Sequence, residues 1–384
     1  MRDLISLAPA CDSKHSESRR LRFPDIPSQS LILFGVLGSI ACSGPQPTPN
    51  PALSRFPIGI YQADNPEHLV RLNEAGFDAI LPYTNDPVLL GALADEATRL
   101  RMRIVAAPEK AILQDVSLTR DWPIDAWYLF DEPDVRKMSS TTLQGISDQI
   151  RAWDPIRPQT FVIGQGSPAR VYGHIGDILM MDWYPVPHKA TDSVADQIDI
   201  VMAAIPKGKP FWMVIQAYDW ADEVTDPAKL KMGGGLRFPN RSEIRFMSYL
   251  SVLHGARGLF YFCLRKKGKT LFEYPELWQG VSGVSREIKV MQPILERGKK
   301  IPLPFDITAK GLEAMALRYH MRDYVIIVNR RRDALVRFPE ELLKPKWHPL
   351  FEVQSNAKKL LAAAKGAWYL QPYRVMVFES RLRL

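Results

Sequence analysis

The stretch Ala126-Trp127-Tyr128-Leu129-Phe130-Asp131-Glu132-Pro133-Asp134 decides the reading of this chain. Five apolar residues, three of them aromatic, run into two adjacent carboxylates and a proline. An apolar run without polar alternation is the pattern of a strand buried on both faces, and the proline stops it. Parallel α/β folds gather their chemistry at the carboxyl ends of strands, which makes Glu132 the candidate general acid. A plainer reading has Asp131 and Asp134 capping the next helix, with Glu132 in solvent. Neighbouring strand residues point to opposite faces, so Asp131 and Glu132 are not expected to form an acid–base pair by themselves. A kink that brought them together would raise one of the two pKa values by like-charge repulsion.

Outward from this stretch, strand-like and helix-like segments alternate. The expected strands are 58–62, 78–83, 103–107, 127–130, 160–164, 177–184, 211–216 and 257–262. Helical patterns cover 66–75, 86–101, 141–153, 193–204 and 242–253, and a closing helix runs from Pro275 to Leu295. Eight such strands predict an α/β fold, a (β/α)8 TIM barrel over residues 55–298. No Gly-rich phosphate fingerprint follows any strand, which excludes the usual dinucleotide and P-loop signatures. From 299 to 384 the pattern becomes short strands at 314–319, 324–329, 334–338, 350–353 and 374–378, predicting a small C-terminal antiparallel β-sandwich.

The 384 residues carry a formal charge of +8, with 46% hydrophobic and 24% charged residues, which is globular composition. The basic residues are scattered rather than gathered in a stripe with aromatics, so nucleic acid is not an expected partner. At the N-terminus, Arg19-Arg20-Leu21-Arg22 precedes the apolar run Leu31–Ala41, too short to span a bilayer stably, and Cys42 follows small residues. Residues 1–42 resemble a bacterial lipoprotein signal, which implies lipidation of Cys42, a membrane anchor and a place at the cell envelope. A Pro-rich stretch over 43–54 reads as an extended tether. With that signal used, Cys263 is the remaining thiol, expected in the core.

The strand ends supply the candidate chemistry. Asp64 follows the first strand, Tyr83 ends the second, Glu109 follows the third, and Asp131 and Glu132 end the fourth. Gln165 follows the fifth, Asp182, Trp183 and Tyr184 end the sixth, Gln216, Tyr218 and Asp219 end the seventh, and Tyr261 lies on the eighth. Carboxylates mixed with Trp and Tyr suit a sugar: rings stack on pyranose faces, acids handle the glycosidic oxygen and amides fix hydroxyls. His254 sits on a helix without a His-x-His pattern, and no metal or cofactor is called for.

The chain resembles the (β/α)8 glycoside hydrolase superfamily, in particular its retaining clan with the acid/base Glu after strand four. The resemblance rests on Glu132-Pro133, on Asp182-Trp183-Tyr184-Pro185, on Tyr249 with His254-Gly255-Ala256-Arg257-Gly258, and on the trailing β-sandwich. It implies an oligo- or polysaccharide partner, no cofactor and a monomer. Two departures stand out. Asp131 replaces the Asn that the clan places before its acid, and Gln216 occupies the nucleophile position. Gln cannot form a glycosyl ester, so three accounts stay open. Asp182 or Asp219 activates water; Asp182 and Asp131 orient a substrate group that attacks internally; or the chain binds sugar without cleaving it.

Overall fold

The computed structural model describes residues 51–108, 117–222, 235–266, 268–307, 309–351, 361–364 and 367–381. Cys42 with the whole signal segment, and Glu109, lie outside the described residues. In chain order the barrel region comprises α1 (Pro51–Ser54), β1 (Ile58–Tyr61), α2 (Glu67–Glu74), β2 (Ala79–Leu81), α3 (Pro87–Arg99) and β3 (Arg103–Ala106). Then come β4 (Ile124–Asp131), α4 (Ser140–Trp153), β5 (Gln159–Ile163), α5 (Ala169–Tyr172), β6 (Ile178–Trp183) and α6 (Ser193–Ala204). It ends with β7 (Phe211–Gln216), α7 (Arg241–Leu253), β8 (Leu259–Phe262), a small hairpin of β9 (Arg265–Lys266) and β10 (Lys269–Thr270), and α8 (Pro275–Arg297). The end of the expected tether, Pro51–Ser54, is thus a single helical turn.

Each barrel strand pairs in parallel with the next, and β8 returns to β1 through Gly59↔Phe260, closing the barrel. The strands are apolar on both faces because both are covered. Ala126, Tyr128, Met180, Trp212, Val214 and Phe260 fill the lumen, while Trp127, Leu129, Met181, Met213 and Tyr261 meet the helices. Gly59 belongs to the lumen by the same alternation. A Cβ there would sit 2.2 Å from the Phe260 ring, so the bare backbone is what admits that ring.

Three of these helices start on side-chain caps. Asp86 accepts from Val88 N ahead of α3, Ser139 accepts from Thr142 N ahead of α4, and Asn240 forms a capping box with Glu243 at α7. Because Ser139 caps α4, Asp131 and Asp134 are released from the capping role that the plainer reading gave them. Asp134 instead accepts from Gly164 N at 3.2 Å, tying the end of β4 to the end of β5.

The C-terminal region adds β11 (Lys299–Ile301), β12 (Leu312–Tyr319), β13 (Arg322–Asn329), β14 (Val336–Arg337), β15 (Trp347–Pro349), β16 (Leu361–Ala364), β17 (Ala367–Leu370) and β18 (Val375–Ser380). A five-stranded antiparallel sheet, β11-β12-β13-β18-β15, stands with a three-stranded one, β14-β17-β16. Val325, Ile327, Val336, Phe338, Leu370 and Phe378 share the core of this small β domain. β15 runs over Trp347–Pro349, just ahead of the strand expected at 350–353; Leu350 and Phe351 follow its end, and residues 352–353 lie outside the described residues. Polar bridges hold this domain to the barrel. His254, at the end of α7, reaches Asp199 of α6 at 2.6 Å and Glu313 of β12 at 2.7 Å. Arg330 joins Glu313 at 3.3 Å and also pairs with Asp196. Buried Arg245 of α7 donates to Glu287 of α8 at 2.6 Å and to the Val375 carbonyl of β18 at 2.5 Å.

Candidate active site

The site begins with an irregularity in β4. Tyr128 pairs with Thr160 and the next rung is Asp131 with Val162, so β4 carries one more residue than β5 between the two rungs. Such a bulge shifts the alternation of side chains by one. Leu129 and Phe130 both pack on the helix side, and Asp131 returns to the face of Tyr128, whose hydroxyl donates to Asp131 Oδ1 at 2.7 Å. The chain then passes through Glu132 at φ 48°, in the left-handed region that a glutamate seldom occupies. Glu132 N still reaches Val162 O at 3.1 Å. Its carboxyl lies over Gly164, where a Cβ would stand 3.1 Å from Oε1. The expectation that Asp131 and Glu132 point to opposite faces is therefore overturned: bulge and left-handed turn bring both to the mouth.

Asp182, on the lumen side of β6, meets Glu132 there, and the two carboxyl groups are hydrogen-bond partners. Both residues are buried, at 7% and 8% exposure. Burial first, then the charge of Asp131, pushes Glu132 up to about 7. Burial, then the charges of Glu132 and Asp131, holds Asp182 well above the usual carboxylate range. Two touching carboxyls in a dry site share one proton and titrate as a pair. The cation on this cluster is Arg136, whose Nη2 approaches Asp131 Oδ2 at 3.3 Å from a half-exposed position.

Aromatic hydroxyls ring the acids. Tyr61 bonds to Tyr128 and packs edge-on against Tyr83 at 6.0 Å. Tyr184 and Tyr218 meet edge-on at 5.2 Å, and Phe262 stacks on Tyr184 at 5.5 Å. Burial raises the hydroxyl pKa of Tyr61, Tyr128, Tyr184 and Tyr218, so all four stay protonated as donors. Of the residues picked out in the sequence, Asp131, Glu132, Asp182, Tyr83, Tyr184 and Tyr218 thus come together. Tyr61, Tyr128 and Phe262 were missed; each reads as an ordinary strand aromatic.

The other candidates have different work. Trp183 faces the helices, donating from Nε1 to Ser193 Oγ at 2.9 Å beneath the Lys189 ammonium. Tyr261 also faces outward, its hydroxyl 3.0 Å from Ser248 of α7. Gln165 is exposed in the bend after β5. Asp219 accepts from Ala221 N at 2.9 Å and so opens the turn Trp220–Asp222. Asp64 accepts from Tyr83 N and Thr84 N, bracing the loops above β1 and β2. The Cys263 thiol is buried and donates to Arg265 O at 3.1 Å.

Gln216 is the most informative correction. It is fully buried, accepts from Val186 N at 2.9 Å and donates to Val186 O at 2.7 Å. Holding both polar groups of one residue takes a donor and an acceptor on the same side chain, which an amide has and a carboxylate lacks. Gln216 is therefore a clamp on the loop after β6 rather than a substrate contact or a disguised nucleophile. Among the described residues no group of three His, Cys, Asp or Glu side chains is arranged to hold a metal ion. Among them, too, no helix is long and apolar enough to cross a membrane.

No family model matches the chain, and no curated protein does. Solved structures do. Eubacterium rectale Amy13B matches with a TM-score of 0.52 at 10% identity, covering 85% of this chain and 94% of its own. A family 5 glycoside hydrolase from Bacteroides vulgatus ATCC 8482 gives 0.53 at 12%, covering 84% and 88%. AmyP in complex with maltotriose gives 0.50 at 8%, covering 86% and 98%. At these identities the shared property is the fold: the chain has the barrel architecture of glycoside hydrolases.

Proposed function

We propose that this chain hydrolyses glycosidic bonds in an oligo- or polysaccharide, with Glu132 as general acid and Asp182 as its partner carboxyl. The observation that carries this reading is the placement of Glu132 itself. Its carboxyl is held at the barrel mouth by a bulge and a left-handed turn, beside two further acids that keep its proton on near neutral pH. A general acid works best with a pKa near the working pH. The fold shared with glycoside hydrolases of known structure supports the same reading. Replacing Glu132 by Gln keeps shape and removes the proton, and turnover of a glycoside with a poor leaving group is expected to fall by about 10²–10⁴-fold. In the parent, kcat/KM for such a glycoside should decline as pH rises through about 7. Unchanged turnover in Glu132→Gln would remove Glu132 from the chemistry.

Gln216 favours a second reading, a barrel that binds sugar without cleaving it, because no carboxylate stands where a retaining clan enzyme keeps its nucleophile. The location belongs to the same proposal: a lipid anchor on Cys42 holding the barrel at the bacterial envelope, motivated by the signal-like run before it. Cys42→Ala is expected to move the protein from the membrane fraction to the soluble one and to abolish labelling by a radioactive fatty acid. Membrane retention unaffected by the change would refute the anchor.

A further inference from the structure

Parallel strands give the barrel two unlike ends. Glu132 and Asp182 stand where strands finish, and the loops that lead into the strands lie at the opposite end. At that far end three large apolar side chains stand in solvent: Leu118 at 52%, Trp153 at 41% and Ile156 at 78% exposure. They come from two loops, one ahead of β4 and one between α4 and β5. Arg157 staples these loops together. Its guanidinium donates to the Thr119 carbonyl, to the Arg120 carbonyl at 3.2 Å and to Asp154 at 3.0 Å. Apolar residues scattered singly over a surface need no explanation, but three on loops fastened to each other form a patch.

The rim of the patch is positive. Arg101 and Arg103 are exposed at the start of β3, where Ile104 N bonds to Pro123 O, and Arg120 is exposed two residues from Leu118. Of the nearby carboxylates, Asp125 is taken by Arg55, Asp154 by Arg157 and Asp177 by Arg151, while Asp121 is exposed. The chain also enters the barrel here. Arg55, directly after α1, pairs with Asp125 at the start of β4 at 2.7 Å and with Asp78 ahead of β2 at 3.5 Å. Leu53 packs on the lumen cluster. Residues 1–50 therefore join the barrel at the end that carries the patch.

We infer that this end docks on an anionic lipid surface, with Leu118, Trp153 and Ile156 at the headgroup boundary and Arg101, Arg103 and Arg120 against lipid phosphates. Tryptophan suits that boundary because its ring is apolar while its N–H finds partners among headgroups and water. Arginine suits phosphate because its forked donors match the oxygens. Apolar burial and charge attraction add at such a surface. A protein partner would cover the apolar residues equally well, but it leaves the cationic rim and the nearby join to residues 1–50 without a purpose. Docked in this way, the barrel turns its mouth from the lipid, and Glu132 faces the water phase. The contact is weak and salt-sensitive. It orients a barrel held near the surface rather than retaining a free one, so its failure would leave both the hydrolase reading and the Cys42 anchor standing.

The test uses the full chain carrying Cys11→Ser and Cys42→Ala, at low ionic strength, with vesicles of phosphatidylcholine alone or mixed with phosphatidylglycerol. Co-sedimentation is expected with the anionic vesicles and should weaken as salt is added. Arg101→Gln with Arg120→Gln should lower the affinity by about 10-fold or more. Trp153→Ser with Ile156→Ser should lower it by about 10-fold. Ile156→Ser, at the most exposed of the three positions, serves if that double variant fails to fold. A fluorophore attached through Ile156→Cys should be quenched by nitroxide-labelled lipid. One attached through Gln165→Cys, exposed after β5 at the mouth end, should not; Cys263 is buried. Equal quenching at the two positions overturns the inference, as does equal binding to both kinds of vesicle or to neither. Binding that survives every substitution assigns the contact to residues 1–50 and overturns it too. A dimer that Ile156→Ser splits, without vesicle binding, gives the patch to a second copy instead.

Discussion

Two clusters of acids in this molecule have opposite surroundings. At the barrel mouth, Asp131, Glu132 and Asp182 crowd together with one half-exposed arginine at their edge. Between the barrel and the β domain, Glu313 lies between His254 and Arg330, while Asp196 and Asp199 each hold one of the same two cations. Burial acts on both glutamates in the same sense, raising the pKa. At Glu132 the neighbouring carboxylates add to it and the group rises to about 7. At Glu313 the hydrogen bond and charge of His254, with the charge of Arg330, outweigh burial and the group falls. Acids that bind a structure together are given cations; acids left without them store a proton that chemistry can use.

The sharpest way to break that contrast is to neutralise one glutamate at each place. Glu132 has a folded pKa near 7 against about 4.3 unfolded, so its ionisation costs stability as pH rises between those values. Glu132→Gln removes the cost and should stabilise the protein at pH 8 by up to about 3 kcal/mol, with no gain at pH 4. Glu313 is the reverse. Its folded pKa is depressed, so its contribution is present above the unfolded value and lost as pH falls through the folded one. Glu313→Gln should therefore destabilise at pH 8, by only about 1 kcal/mol because the pair is partly solvated. Urea unfolding of both variants at the two pH values measures this, and effects of the same sign at pH 8 would erase the distinction.

Much of the architecture was legible because a buried strand leaves a local record that repeats eight times, with amphipathic helices following most of the strands. Glu132 and Asp182 were legible for the same reason: a carboxylate that ends an apolar run stands out. Which way a side chain faces was not. Strands covered on both sides carry no polar alternation, so the sequence 211–216 or 257–262 offers no means to tell lumen from helix side. Tyr261 and Trp183 were assigned to the mouth and belong to the outer layer. Tyr61 and Tyr128, which do line the mouth, look like core. The bulge at Leu129–Phe130 was invisible too, since it is a property of how β4 pairs with β5 rather than of either strand alone.

Gln216 sharpens the comparison from the side of the mouth, because its meaning depended on a partner 30 residues away in sequence. Read along the chain, it is a glutamate that has lost its charge; read in space, it is an amide chosen to satisfy both the N–H and the C=O of Val186. The two views predict different outcomes for Gln216→Glu. If the position were a silenced nucleophile, restoring the acid would bring activity with retention. The clamp instead predicts a carboxyl facing the Val186 and Tyr218 carbonyls with no donor to offer them unless it is protonated. The loss should be about 2 kcal/mol for an unsatisfied buried pair, larger at pH 8 than at pH 5, with no gain in turnover. A variant as stable as the parent, or one that acquires cleavage of simple glycosides with retention, would show that the loop after β6 does not need the amide. The mouth would then be a retaining site with one member exchanged.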